Sequence, residues 1–258
     1  MLGGTVGVVG ALSGWFGGGS VPSDTFTRGL VGYWSLDEGF GSIVYDASGN
    51  GNHGTLYYMS TSTNAWVEGR DGAALQFDGT DDYVGISADS SLNSDAFSVS
   101  FWVKFNQLRT QGIIGKDDSG TRWRFFMRSG DNGIELDAMP GEIANIYTSV
   151  PSVGEWYHIV GTYDGDKMRI YINGSLSTTS PSYVGALNMV GAKYIGKYVN
   201  VGYNFSGLMD DIRIYDVAVP ISQIKQQYYI GLNSLLANGS ITSKEYKEKI
   251  NNIAMSDN

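Results

Sequence analysis

The sequence predicts an all-β protein, built as an antiparallel sandwich or barrel, and three observations support this. From Leu30 to Tyr215, apolar and polar residues alternate with a period of two, which is typical of strands that bury one face. Turn signals interrupt the alternation about every ten residues. The 258 residues include 36 Gly and 17 Tyr but no Cys, so neither disulfides nor a thiolate metal site hold the fold. Because no long structureless insert separates the strands, we predict one compact domain.

Short stretches identify individual strands. The stretch 156–179, WYHIVGTYDGDKMRIYINGSLSTT, predicts a strand, an Asp-Gly turn at 164–165, a second strand and an Asn-Gly hairpin turn at 173–174. Such turns have positive φ angles that match the twist of paired strands. The stretch 97–105, FSVSFWVKF, places Phe97, Val99, Phe101 and Val103 on one face, and on the other Ser98, Ser100, Trp102 and Lys104.

The last part of the chain, residues 221–258, changes to a helical period. Apolar residues recur there at steps of three and four, which predicts an amphipathic helix that ends at Asn238-Gly239. Thr242 and Glu245 form a capping box that predicts a second helix through Ile253. The tail resembles short helical hairpins with an LLxxGxIT-x-x-EY pattern at the C-termini of many microbial proteins. That resemblance implies a role in oligomerisation or docking.

The first 29 residues are predicted to be an apolar, Gly-rich arm and linker. Residues 1–22 contain eight glycines and no charged side chain. The apolar portion, 2–16, is shorter than the ~20 residues that span a bilayer as a helix, and a secretory signal would begin with basic residues. Two interpretations stay open, a flexible leader or an assembly element. The apolar side chains available for assembly are Leu2, Val6, Val8, Val9, Leu12, Trp15 and Phe16.

The charge of the chain limits its partners. The formal net charge is −9 and the pI is about 4.6, and Lys and Arg are scattered. A nucleic-acid partner is therefore not expected. The composition, rich in Gly, Tyr, Ser, Thr and Asn, is typical of extracellular microbial β-proteins.

Five stretches in order carry a family resemblance: GLVGYWSLDEGFGSIVYDASGNGNHGTL, ALQFDGTDDYVGI, FSVSFWVK, GEWYHIVGTYDGDKMRIYINGSL and FSGLMDDIRIYDVAVPISQI. Together they resemble a laminin-G-like jelly roll of the concanavalin A-like lectin/glucanase superfamily, over about Leu30 to Tyr229. The resemblance implies a sandwich of two antiparallel sheets, which we place at residues 30–220. It also implies a secreted or cell-surface protein that binds glycans or other proteins.

A possible Ca²⁺ site lies in the loop YDASGNGNHG. A Ca²⁺ ion takes six to eight oxygen ligands, and this loop offers Asp46, Asn50 and Asn52. Asp210 is separated from Ile212 and Ile214 by even steps along a strand, so we predict that its side chain points inward with theirs. A buried carboxylate without a partner is costly in free energy. The family resemblance implies the same site, since several relatives hold a structural Ca²⁺ between the loop that matches 46–54 and the Asp that matches Asp210. The alternative is an Asx-turn network in which both carboxylates accept backbone N–H groups. His53 is a poor Ca²⁺ ligand, and we expect it to orient the loop or to face solvent.

Catalysis is not expected, although the superfamily includes glycosidases. Retaining enzymes need two carboxylates about 5–5.5 Å apart. The glucanase branch of the superfamily carries E-x-D-x-(x)-E on a strand. Glu135 and Asp137 match its first two carboxylates on one strand face, but Met139 or Pro140 stands at the position of the acid/base carboxylate, and Glu142 lies too far along. A solvent-facing strand explains the pair better. The sequence suggests no Ser or Cys nucleophile as a partner for His158, which is predicted to be a core or sheet-face histidine.

Ligand contact is expected from aromatic side chains, whose flat apolar faces stack on sugar rings. Two loop segments carry such residues, and Trp123 lies among Arg122, Arg124 and Arg128 on a strand that we place on the concave face of the sandwich. Packing is the alternative for each residue. The candidate ligand-binding residues are Trp66, Trp123, Tyr198 and Tyr203.

These inferences give two hypotheses of function. The first is a non-catalytic glycan-binding or adhesion module, stabilised by Ca²⁺ and displayed outside a cell. The second is a structural subunit of a surface filament or virion, which assembles through residues 1–22 and displays the jelly roll outside. In a filament or virion, the arm would complete a neighbour's sheet edge.

Overall fold

A computed structural model describes residues 26–59, 65–87, 96–118, 121–130, 133–139, 145–149, 152–182, 191–198 and 202–255. Within these residues the chain forms two antiparallel sheets that face each other, as the sequence predicts. Neighbouring strands of sheet A follow the order β14-β13-β12-β7-β18-β5-β4, and β1 also pairs with β18. Sheet B follows the order β11-β10-β9-β8-β15-β6-β3-β2. Non-consecutive neighbours such as β7 and β18 are typical of a jelly-roll sandwich.

The strands of sheet A are β1 Leu30–Trp34, β4 Trp66–Glu68, β5 Ala73–Asp78, β7 Phe97–Phe105, β12 Trp156–Tyr163, β13 Met168–Ile172, β14 Ser175–Thr179 and β18 Ser206–Tyr215. Those of sheet B are β2 Ile43–Val44, β3 Gly54–Tyr57, β6 Tyr83–Ile86, β8 Gln111–Asp118, β9 Thr121–Arg128, β10 Gly133–Met139, β11 Asn145–Ser149 and β15 Lys193–Ile195. A separate two-stranded ribbon consists of β16 Lys197–Tyr198 and β17 Tyr203–Asn204.

The core lies between the sheets and follows the period-two pattern. In β7 the side chains of Phe97, Phe101 and Phe105 are buried in it, and Phe101 meets Phe125 of sheet B edge-on with ring centroids 5.0 Å apart. The predicted hairpin turn is also present. Asn173 and Gly174 join β13 to β14 with φ angles of 52° and 81°, which is the geometry of a type I′ turn.

Two helices cover the outer face of sheet A. They are α1, Ile221–Ala237, and α2, Ser243–Met255. The predicted capping box of α2 is confirmed, because the N–H of Glu245 donates to Thr242 Oγ1 at 3.2 Å while the Glu245 carboxylate accepts from the Thr242 N–H at 2.7 Å. The apolar face of α1 packs on sheet A in a cluster that contains Trp102, Tyr228, Tyr229, Leu232 and Leu235. The tail is therefore part of the folded unit.

Candidate functional site

The outer face of sheet B carries a group of aromatic rings around one guanidinium. Within the described ranges no helix covers this face. We call Arg124, Phe126, Tyr198 and Tyr203 the aromatic platform. Arg124 and Phe126 come from β9, whose alternate residues Trp123 and Phe125 enter the core. Tyr198 and Tyr203 are cross-strand partners in the β16–β17 ribbon, so strand pairing brings them together.

The rings of the platform have fixed mutual orientations. Tyr198 and Tyr203 are nearly parallel, with centroids 6.4 Å apart, and Phe126 lies edge-on to them at 5.8 and 6.1 Å. The Arg124 Cζ atom lies 4.3 Å from the Tyr198 centroid and 5.2 Å from that of Phe126. Tyr203 is 40% exposed. Edge-to-face packing and cation–π attraction hold the rings, so an apolar face is presented without local rearrangement.

Carboxylates in β10 hold the arginines of β9. The register places Arg124 opposite Asp137, and their Nη2 and Oδ2 atoms lie 2.9 Å apart. Arg128 approaches Glu135 at 3.7 Å, and the Asn145 amide donates to Glu135 at 3.1 Å. Both carboxylates are buried, whereas the sequence analysis expects them on a solvent-facing strand. The platform thus combines apolar rings with polar groups along one edge.

A second aromatic group adjoins the platform on the same face. Tyr57 stacks on Tyr83 with centroids 4.7 Å apart and planes 9° from parallel. Lys197, next to Tyr198 in β16, places its Nζ atom 3.3 Å from the Tyr83 centroid and 4.4 Å from that of Tyr194. Burial lowers the pKa of this lysine. The exposed aromatic surface therefore continues from β9 to β3.

Two of the four predicted ligand-binding residues lie on this surface and two do not. Tyr198 and Tyr203 form part of the platform. Trp66 and Trp123 are only 5% and 1% exposed and belong to the core, so the structure corrects their placement. The reason is strand parity, since Trp123 alternates with Arg124 and therefore points away from the arginine face. The same alternation identifies Phe126, which the sequence analysis missed.

The apolar residues predicted for assembly lie outside the described residues. They are Leu2, Val6, Val8, Val9, Leu12, Trp15 and Phe16. Assembly through them stays a prediction.

The loop around Asp46 has the hydrogen bonds of an Asx-type network. The Asp46 carboxylate accepts the N–H groups of Tyr33, Ser48 and Asn52 at 2.8 to 2.9 Å. Despite the opposing effect of burial, these hydrogen bonds lower the pKa of Asp46. The Asn52 amide donates to the Val31 carbonyl at 2.8 Å, and the Asn50 amide does so at 3.3 Å. His53 accepts the Asp46 N–H through Nδ1 at 3.0 Å, which fits its expected role of orienting the loop.

Asp210 is buried as predicted, but on the opposite face of sheet A. Met209 and Ile212 both enter the core, because the register shifts at Asp211, whose φ is 54°. This bulge turns Asp210 toward the helical side, where its carboxylate accepts the N–H groups of Arg70 and Asp71 at 2.9 and 3.3 Å. The prediction that Asp210 points to the same side of the sheet as Ile212 is therefore wrong.

The donor set around the predicted calcium site favours the hydrogen-bond alternative. A carboxylate has about four lone-pair positions, and N–H donors occupy three of them at Asp46. At Asp210, the positive guanidinium of Arg70 lies 3.9 Å away, where it competes with a cation. Calcium binding by Asp46, Asn50, Asn52 and Asp210 stays a prediction.

A separate acidic group has side-chain oxygens close enough to share a cation. In the described part of the chain, ligand atoms of Asp78, Asp81 and Asp82 all lie within 4.8 Å of one another. Burial and the two neighbouring carboxylates raise the pKa of Asp82. Its Oδ2 atom also accepts the Asp78 N–H at 2.9 Å, so the group has a structural role without an ion.

His158 is the buried sheet-face histidine that the sequence predicts. It is 1% exposed, and its Nε2 atom lies 2.9 Å from Ser100 Oγ. Ser100 donates in turn to Gln227 of α1 at 3.0 Å. Because this chain of hydrogen bonds lies under α1, it joins helix to sheet.

Comparison with known proteins assigns the family. The Laminin_G_3 model, described as concanavalin A-like lectin/glucanases superfamily, matches residues 78–225. That is more than half of the chain, and the chain belongs to this family. Pappalysin-1 from Mus musculus is 25% identical in an alignment 138 residues long that covers 44% of this chain and 8% of pappalysin-1. The chain therefore matches only a small part of that relative.

Solved structures share the fold. Domain 4 of AbnA, a GH43 extracellular arabinanase from Geobacillus stearothermophilus in complex with arabinotriose, has a TM-score of 0.61 at 24% identity, over 76% of this chain and 97% of that domain. The binding domain of paraclostridial mosquitocidal protein 1 has a TM-score of 0.64 at 18% identity, over 80% and 53%. Trypanosoma rangeli sialidase with the inhibitor DANA has a TM-score of 0.59 at 16% identity, over 77% and 32%. Among the described residues, no helix is long and apolar enough to cross a membrane.

Proposed function

We propose that this protein is a non-catalytic glycan-binding module that acts outside a cell and that binds through the aromatic platform. The observation that carries this is the pair of parallel rings, Tyr198 and Tyr203, held beside Arg124 on the uncovered face of sheet B. Sugar rings stack on such apolar faces while their hydroxyls reach polar groups at the edge. The arabinotriose complex of the similar AbnA domain supports a sugar as the ligand class.

The contacts of the two carboxylates support binding without hydrolysis. A glycosidase needs one carboxylate free as nucleophile or base and another as acid. Asp137 is paired with Arg124, and Glu135 is held by Arg128 and Asn145. These partners occupy both carboxylates, and both side chains are buried. Incubation with arabinan and with a panel of nitrophenyl glycosides should release no product, whereas turnover that is lost in Glu135→Gln would contradict the proposal.

A glycan array tests the binding proposal. The full chain, detected through an added C-terminal tag, should bind a defined set of glycans, and the same set should be bound with or without EDTA if the platform suffices. A blank array under both conditions would overturn the proposal. Binding that survives only with calcium would move the site to the acidic loops.

A further inference from the structure

A cleft of about 310 Å³ lies between β1 and α1, on the side of sheet A away from the platform. Its apolar wall includes Phe26, Leu30 and Ile230, and Ile230 is 41% exposed. At this size a cleft holds a small set of bulky side chains. An exposed isoleucine beside an apolar cleft is a surface that gains free energy when it is covered.

The charged and amide side chains that line the cleft already have partners within the protein. Arg213 forms an ion pair with Asp211 at 2.8 Å and lies over the Tyr33 ring, with Cζ 4.2 Å from the centroid. Gln227 donates to the Tyr215 hydroxyl at 2.8 Å. Burial raises the pKa of Tyr33 to about 12, with a further contribution from Asp211, so this phenol stays neutral. An uncharged occupant can therefore enter without leaving a charge unpaired.

The chain itself supplies an apolar segment, without a charged side chain over residues 1–22, that leads directly into the wall of this cleft. Residues 1–25 precede Phe26, which is part of the cleft wall, and Asp24 is their only charged residue. Trp15 and Phe16 are the bulkiest apolar side chains of the segment, and three glycines follow them. Ten residues reach about 33 Å when extended, so Phe16 can return to the cleft beside Phe26.

We propose that the β1–α1 cleft is the docking site of the chain's own N-terminal segment, with Trp15 and Phe16 as the inserted side chains. Tethering favours the own segment over that of a second copy, because the covalent connection makes docking intramolecular and raises the effective concentration of the segment at the cleft. Docking would cover Ile230 and Leu30 and would complete the apolar layer between β1 and α1.

Chymotrypsin digestion of the full chain tests this docking, because the protease cleaves after Trp15 and Phe16. A synthetic peptide of residues 1–25 gives the rate for the unprotected sequence. We expect the full chain to be cleaved at these bonds at least about tenfold more slowly than the peptide, which corresponds to ~1.4 kcal/mol of docking. The same rate in chain and peptide would overturn the proposal.

A matched pair of variants locates the contact. Ile230→Glu places a charge in the cleft, whereas Ile221→Glu changes a residue of the same helix with nearly equal exposure, 42% against 41%, that is not part of the cleft wall. Cleavage should become about tenfold faster in Ile230→Glu and stay unchanged in Ile221→Glu. Equal rates in both variants, with unchanged melting temperatures, would contradict docking in this cleft.

Engineered cysteines distinguish the own segment from a second copy. The chain has no cysteine, so the double variant Phe16→Cys, Ile230→Cys contains a single possible pair. Oxidation should give a crosslinked monomer on a non-reducing gel. A crosslinked dimer would overturn docking within one chain and indicate exchange of the segment between copies, and no crosslink would overturn docking altogether.

Discussion

The outer faces of the two sheets have similar residue types but opposite surroundings. On sheet A, Ser100, Trp102 and His158 lie under α1 and are at most 1% exposed. On sheet B, Arg124, Phe126 and Tyr198 form a comparable mixture of aromatic and polar groups, yet no described helix lies over them. The strand pattern is alternating in both cases, so the covering helix makes the difference.

Cover by a helix changes what polar groups can do. Those of sheet A are desolvated and take partners within the protein, as the chain Ser100, Gln227 and Tyr215 shows. On sheet B the carboxylates are paired with arginines, and the partly exposed rings beside them, such as Tyr203, stay accessible to a ligand. The first face therefore stabilises the fold, and the second carries the proposed function.

The largest effect is expected where the helix meets sheet A. A Cβ atom on Gly231 would come within 2.0 Å of the Trp102 ring, so Gly231→Val should force α1 away from the sheet. We expect a loss of about 3 kcal/mol in the free energy of unfolding, measured by urea denaturation. The exposed Ser222→Ala in the same helix should change it by less than about 0.5 kcal/mol. Equal stability of the two variants would show that α1 is not held against Trp102.

A loss of about 2 kcal/mol is expected in the loop at Asp46. Asp46→Ala removes the acceptor of three backbone N–H groups, and buried donors without acceptors are costly. Thermal melting should show this loss, whereas Tyr45→Ala, which changes a neighbouring side chain that is 59% exposed, should be nearly neutral.

The same melting experiment with EDTA separates the two interpretations of this loop. If Ca²⁺ is bound, EDTA lowers the wild-type melting temperature and has no effect on Asp46→Ala, because a ligand of the native state stabilises it. An unchanged wild-type melting temperature, with Asp46→Ala still destabilised, would support the hydrogen-bond network alone.

Acidification should weaken the covered face through His158. Burial lowers the pKa of His158 to about 3, whereas an unfolded histidine takes up its proton near pH 6.5. Below that pH the unfolded state binds more protons, so the free energy of unfolding should fall by about 1.4 kcal/mol per pH unit from this group. His158→Gln should remove this component between pH 6.5 and 5. An equal fall in wild type and variant would contradict it.

The sequence predicts the regular parts of this molecule because local rules decide them. The alternation in β7, the turn at Asn173-Gly174 and the capping box at Thr242 each depend on a few neighbouring residues. Asp210 was placed on the wrong face because nothing in the pair Asp210-Asp211 marks a bulge. Trp123 was predicted to contact a ligand, although its alternation with Arg124 along β9 already indicates that the two side chains point to opposite faces. Which sheet face the helices cover depends on tertiary packing, and no local pattern shows it.

The binding isotherm of the double variant Tyr198→Ala, Tyr203→Ala tests the central claim most directly. With a glycan selected on the array, measured by titration calorimetry, we expect the dissociation constant to rise by at least about tenfold, because loss of the stacking surface costs ~1.4 kcal/mol or more. The control Tyr45→Ala, at the opposite edge of sheet B, and Ile221→Glu, on the helical side, should bind like wild type. Unchanged affinity in the double variant, or a loss in Ile221→Glu alone, would contradict the assignment of ligand binding to the uncovered face of sheet B.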